Sequence, residues 1–230
     1  MRYVYCHPLF DERKCAHRFS YQLEKTFQAA ALALERFDYR GTGEAAGRFA
    51  DTSLETLRED IAAQAGGDEV NLIGLRLGAS LALDYCTRNT GMVRNLVLLE
   101  PIIDGTEYVD YLRRKQHIKN IMTGKSAGEL QDNGYDNIEG YKASLRLIDQ
   151  IADLNLLKMA REYALGNSVF IVHISSLAQV DPGIVALGRL IESAAEKVLV
   201  ENVEMPLFWE RIPSTDYSKL TQKVLRWCRG

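Results

Sequence analysis

No apolar run in the 230-residue sequence approaches the ~20 residues that a membrane-spanning helix needs. Excess positive charge is missing too: 28 Lys and Arg stand against 31 Asp and Glu, a net charge of -3, which argues against a basic nucleic-acid surface. Proline is scarce, five in all, so no Pro-rich linker divides the chain, and no internal repeat or low-complexity segment is present. The opening Met1-Arg2-Tyr3-Val4-Tyr5 has no long apolar stretch of the signal-peptide kind. The four cysteines, Cys6, Cys15, Cys86 and Cys228, are widely spaced and form no metal-type pair. The expectation is a cytoplasmic protein with reduced thiols, no metal and no cofactor. At 47% hydrophobic and 26% charged residues, the chain can bury a core of normal size.

What is present is alternation. Short apolar runs at Tyr3–Cys6, Ala29–Phe37, Val70–Ile73, Leu96–Leu99, Val169–His173 and Lys197–Val200 are separated by amphipathic stretches. That order predicts parallel strands joined by helices. Phe19, Leu23 and Phe27 fall at helical spacing within Ala16–Phe27. Thr52 or Ser53 is placed to cap a helix running to about Ala65, and Ser218–Cys228 reads as a closing helix. The stretch 102–167 between the fourth and fifth runs reads as helical, over Val109–Ile121 and Leu145–Tyr163. An insertion of that length predicts a helical cap over the carboxyl end of the sheet, where open parallel sheets bind ligands. The domain expectation is one α/β domain over 1–230 with the cap as an insertion at 102–167.

Three places carry a resemblance. Gly74-Leu75-Arg76-Leu77-Gly78 follows a strand and opens a helix, the layout of a nucleophile elbow. His7-Pro8 ends the first strand, and Asp38-Tyr39-Arg40-Gly41-Thr42-Gly43 follows the second. Together they resemble the elbow, the oxyanion loop and the Asp-x-Arg-Gly-x-Gly turn of the α/β-hydrolase superfamily. Gly74-Leu75-Arg76-Leu77-Gly78-Ala79 and Pro206-Leu207-Phe208-Trp209 further resemble the exosortase A-associated hydrolases, a group linked to bacterial polysaccharide and protein-sorting gene clusters. The resemblance implies an α/β-hydrolase fold with a mostly parallel sheet of about six strands and a helical cap. It also implies that the chain starts at the family's third strand.

The chemistry departs from that pattern. A serine hydrolase needs a hydroxyl on the sharp turn, a histidine to take its proton and a carboxylate to orient the histidine. Arg76 stands at the nucleophile position and stays protonated. The four histidines are His7, His17, His117 and His173, so none follows the last strand, where the resemblance places the catalytic one. Ser80 lies one turn into the helix and reads as a packing residue; Asp181, after the fifth strand, reads as the family's acid or as a loop residue before Pro182.

Arg76 itself admits two readings. With the Leu77 N–H at the helix start and the loop His7-Pro8-Leu9, it can build a pocket for a small anion. Alternatively it is an internal ion pair with Glu100, which ends the next strand. His7 either shapes the oxyanion loop or bonds to the backbone. Trp209 either walls the pocket or anchors the last helix in the core. Arg113-Arg114-Lys115-Gln116-His117-Ile118-Lys119 reads as a solvated helix face. No catalytic residue is assigned; the elbow position Arg76 and the candidates His7 and Glu100 are retained.

The functional expectation is an atypical member that lacks the serine and the histidine and binds a small anionic or acyl-bearing molecule. Two alternatives stay open. One is a hydrolase or acyltransferase with an unconventional site using His7, Glu100 and water. The other is a structural or interaction protein with a closed pocket. A small-molecule partner is expected, without nucleic acid or a membrane span, and a homo-oligomer is compatible with the sequence.

Overall fold

The computed structural model describes residues 2–124, 134–162, 167–211 and 215–230. Internal contacts divide the chain into two units. One comprises 1–37, 61–103 and 156–230, the other 38–60 and 104–155.

The first unit is built on a six-stranded sheet. Its strands are β1 (Arg2–Cys6), β2 (Ala33–Arg36), β3 (Val70–Leu75), β4 (Val93–Leu99), β7 (Ser168–Ser175) and β8 (Lys197–Glu204). They lie in the order β2-β1-β3-β4-β7-β8, and every neighbouring pair is parallel. β3 is buried at all six positions, as a central strand covered on both faces must be. The crossover helices include α1 (Phe10–Cys15), α2 (His17–Ala29), α4 (Leu77–Arg88) and α8 (Pro182–Glu192). Helix α9 (Ser218–Arg229) follows the last strand, and the Tyr3 hydroxyl donates to the Cys228 carbonyl at 2.7 Å, fastening the first strand to it.

Period-two alternation sorts the sheet's two faces. Tyr3 and Tyr5 from β1, Ile73 and Leu75 from β3, and Val97 and Leu99 from β4 join Phe19, Leu23, Phe27, Phe208, Trp209 and Tyr217 in one buried cluster. Helix α4 packs against β3 and β4. Within the cluster Phe19, Phe208 and Tyr217 form a tilted and edge-on aromatic group, with ring centroids 4.9 to 5.6 Å apart.

The second unit holds most of the stretch expected to be helical. Helix α5 (Gly105–Thr123) starts at Asp104, whose carboxylate accepts from the Thr106 and Glu107 amides, and stops at left-handed Gly124. Helix α6 (Leu145–Ala152) starts at Ser144 in the same way. A hairpin between them corrects the all-helical expectation: β5 (Tyr135–Ile138) pairs antiparallel with β6 (Tyr141–Ser144). The cause lies in Glu139 and Gly140, both at positive φ, which close the two-residue turn that hairpin strands favour. The helix expected over 145–163 breaks at Asp153-Leu154-Asn155, and α7 (Leu156–Arg161) resumes in the first unit. Positions 125–133 and 163–166 of the expected insertion lie outside the described residues. Helix α3 (Leu54–Ala65) is capped by Ser53, whose hydroxyl accepts from the Thr56 amide, and a 3₁₀ turn covers Phe49–Asp51.

Among the described residues, no helix is long and apolar enough to cross a membrane, and no group of His, Cys, Asp and Glu has the arrangement of a metal site. None of the four cysteines is in a disulfide.

Candidate functional site

The elbow is formed by the backbone between β3 and α4. Arg76 adopts φ 55°, ψ -125°, a conformation that residues with a Cβ seldom occupy. Its amide donates to the Leu99 carbonyl at 2.9 Å, and its own carbonyl accepts from Ala79 and Ser80 at 2.9 and 3.2 Å, so the turn is held from both sides. The flanking glycines are steric requirements. A Cβ on Gly74 would strike the Ala79 backbone, and one on Gly78 would strike the Cys6 and His7 carbonyls at the end of β1. The loop His7-Pro8-Leu9 therefore lies directly against the first turn of α4. Among the described residues, no acceptor meets the Leu77 N–H.

Arg76 turns its guanidinium to Glu12. Nε and one terminal nitrogen donate to Glu12 Oε1 at 3.3 and 3.2 Å, and the Trp209 ring centroid lies 5.0 Å from the guanidinium carbon. The Glu12 side chain is 1% exposed and that of Arg76 13%, so this is a buried ion pair stacked on an aromatic face. The expected partner was Glu100; the ion pair runs instead to Glu12 on the short helix α1. Backbone placement explains the change. Phe10, at φ 55°, turns the chain sharply after Leu9 and starts α1, which brings Glu12 in beside the elbow. Six residues of α1 show too little periodicity to be seen in sequence.

Glu100, also at positive φ (44°), takes a different partner. Its Oε2 lies 2.9 Å from His173 Nδ1 and accepts the Ile174 amide at 2.6 Å. The two side chains are 15% and 11% exposed. Burial pushes the Glu100 carboxyl above the ordinary carboxylate range, while the Ile174 N–H and the charges of His173 and Arg76 pull the other way. In the sequence His173 stands at the end of an apolar run, with nothing there to join it to Glu100. Register was the missing information: Leu99 pairs with Val172 across β4 and β7, so the next residues of both strands are Glu100 and His173. Leu75 pairs with Leu99 one strand further over, which puts Arg76, Glu100 and His173 side by side across three neighbouring strands, with β7 running on to Ser175.

The remaining candidates fall into place. His7 is 4% exposed and meets the Tyr5 ring edge-on at 4.7 Å. Pro8 and Leu9 are buried in the loop against α4. Trp209 is both a member of the core cluster and the surface under Arg76. Ser80 is fully buried, its hydroxyl donating to the Ile102 carbonyl at 2.9 Å and accepting the Ile102 amide at 3.0 Å, so it ties α4 to the chain beyond β4. Asp181 caps α8 through the Gly183 and Ile184 amides. Arg40 pairs with Asp60 and Glu59 at 2.6 Å each, within the second unit. On α5, Arg113 reaches Asp136 at 3.2 Å, and Lys115 pairs with the buried carboxylate of Glu139.

No protein-family model matches the sequence, and no curated protein matches it. Solved structures do. Est1E from Butyrivibrio proteoclasticus, solved with ferulic acid bound, superposes with a TM-score of 0.66 at 14% identity, over 100% of this chain and 88% of that one. A bromoperoxidase from Bacillus anthracis gives 0.65 at 13% identity, over 100% and 92%. An enol-lactonase from Burkholderia xenovorans LB400 gives 0.61 at 12% identity, over 100% and 92%. With the strand order and the elbow, these similarities define the class: the chain has the α/β-hydrolase fold. At such identities they speak for the fold alone.

Proposed function

We propose that this protein binds a small acyl-bearing molecule at its elbow, with the ligand's carbonyl oxygen accepting from the Leu77 N–H. The carrying observation is the strained turn itself. A non-glycine residue at such φ and ψ costs about 1–3 kcal/mol and persists where the surroundings enforce it, most often at functional sites. Here Gly74 and Gly78 keep the turn although its residue is an arginine, and the turn aims the first amide of α4 at the carboxyl end of the sheet.

Charge narrows the ligand class. An unopposed Arg76 would favour a carboxylate or phosphate. Glu12 neutralises it, and Glu100 adds a further carboxyl nearby. A neutral carbonyl with partial negative charge on oxygen suits that balance better than a full anion. A serine route is disfavoured because Arg76 supplies no nucleophile and no histidine follows residue 173. The closer kinship with the exosortase A-associated group rests on the two sequence motifs.

A second reading has its own observation. Arg76, Glu12 and Trp209 together form a buried buttress that needs no ligand. Amide NMR separates the two. Titration with phenylacetone, a neutral ketone, is expected to shift the Leu77 amide resonance and raise the melting temperature, with acetate and phosphate weaker. A Leu77 resonance unmoved by all three, with no change in melting, would leave the buttress as the role of Arg76.

A further inference from the structure

The sheet ends at β8, and its last edge is open. β7 shares its backbone between two neighbours: the Val172 carbonyl accepts the Glu100 amide on the β4 side, and the Ser175 carbonyl accepts the Met205 amide on the β8 side. The register from Ser168 opposite Lys197 to Ser175 opposite Glu204 is unbroken, so the alternation holds along the strand. Odd-numbered residues of β8 therefore bond to β7. Val198, Val200 and Asn202 point their N–H and C=O groups away from the sheet, and among the described residues no backbone group meets them. Such a row of unpaired groups is a template for another strand.

The side chains say which strand. Lys197, Leu199 and Glu201 share the face that carries α9. The Lys197 ammonium lies 4.7 Å from the Trp227 ring centroid, and Glu201 Oε2 accepts from Lys223. Leu199 between them is 37% exposed. Among the described residues Lys197 has no carboxylate partner, and Glu201 Oε1 takes no donor. An exposed leucine thus stands between an unpaired cation and a half-used carboxylate.

We propose that β8 pairs antiparallel with β8 of a second copy of this chain, with Leu199 on the two-fold axis, joining the two sheets into one. The backbone restricts the register. Outward-pointing residues must face one another, so the axis passes through a residue and not between two. An axis at Glu201 sets two carboxylates face to face. An axis at Val200 sets Glu196 against Glu204. An axis at Leu199 sets the leucine against itself, Val198 against Val200, and Lys197 against Glu201 of the second copy, each of the last two pairs occurring twice. Val198 and Val200 then exchange their N–H···O=C bonds across the axis. Opposed Cβ atoms lie roughly 4.5–5.5 Å apart, so Lys197 reaches the Glu201 oxygen that Lys223 leaves open. A lysine on an edge strand ordinarily repels a second strand; here the same strand carries the carboxylate that answers it. The elbow takes no part, so the pairing and the acyl-binding reading stand or fall separately.

Sedimentation velocity of the full chain across micromolar concentrations tests the pairing. Wild type is expected to sediment as a dimer. Leu199→Glu puts two carboxylates on the axis at an exposed position and is expected to sediment as a monomer with an unchanged far-UV circular dichroism spectrum. Lys197→Glu and Glu201→Lys each turn two attractive pairs into repulsive ones and are expected to raise the dimer Kd about 10–10²-fold. Mixing these two variants in equal amounts is expected to restore the dimer, because every charge at position 197 then meets its opposite at position 201. An effect within one chain, such as loss of the Glu201–Lys223 pair, is not rescued by mixing. Should Glu201→Lys fail to fold, Leu199→Glu decides the matter. A monomeric wild type, a dimer that survives Leu199→Glu, or a mixture of the two charge variants that stays monomeric overturns the proposal.

Discussion

Arg76 and Glu12 are unequal partners, and the inequality is measurable. Glu12 is 1% exposed and Arg76 13%, so removing the arginine takes an ion-pair partner from the more deeply buried charge. Arg76→Ala is expected to cost about 3–5 kcal/mol in urea unfolding at neutral pH. The cost should shrink in acid. Protonation removes the charge whose burial is costly, so the deficit narrows as pH falls. Glu12→Ala leaves a partly solvated arginine stacked on Trp209 and is expected to cost less, with no recovery in acid. Urea titrations of both variants at pH 7 and pH 5 check this. At this scale the sequence was half legible. Arg76 was marked by its place between two glycines, whereas Glu12 follows a left-handed Phe10 that no residue type announces. Likewise Glu100 and His173 were each visible as the polar end of an apolar run, but their pairing depends on register.

Elements meet at backbone contacts that permit no side chain. A Cβ at position 78 would press on the carbonyls of Cys6 and His7. Gly78→Ala is therefore expected to destabilise by at least ~3 kcal/mol, a melting temperature lower on the order of 10 °C, because strand and helix backbones must part. In the second unit Gly105, at the head of α5, faces the Ile151 carbonyl on α6 just as closely. Gly105→Ala should open that helix pair, seen as faster amide exchange in both helices. The central strands were legible because burial on both faces writes unbroken apolar runs such as Leu96–Leu99. The hairpin was not, since Tyr135-Asp136-Asn137-Ile138 and Tyr141-Lys142-Ala143-Ser144 are short and poor in β-branched residues. Only the Glu139-Gly140 turn betrays it.

Across the molecule, two carboxyls respond to acid in opposite senses. Glu55, held by backbone amide, Gln150 and Ser53 hydrogen bonds, has its pKa lowered from 4.5 to about 2. Its folded value lies below the unfolded one, so its contribution is complete above pH 4.5 and is lost as pH falls toward 2. Glu100 is shifted upward, chiefly by burial, so protonating it favours the folded state, and its contribution grows on acidification. Glu55→Gln should remove part of the acid destabilisation below pH 4.5, read from the exchange of the Leu54 amide that Gln150 holds. Glu100→Gln should leave that region unchanged.

The buried pair at the elbow also constrains descent. Changing Arg76 to serine as a single step takes the guanidinium away from Glu12, a carboxylate whose side chain is only 1% exposed. A lineage could reach serine at this position only after a permissive substitution at position 12, such as glutamine, had already been fixed. The order of mutations is thus dictated by one carboxylate, and the arginine stands behind a ratchet.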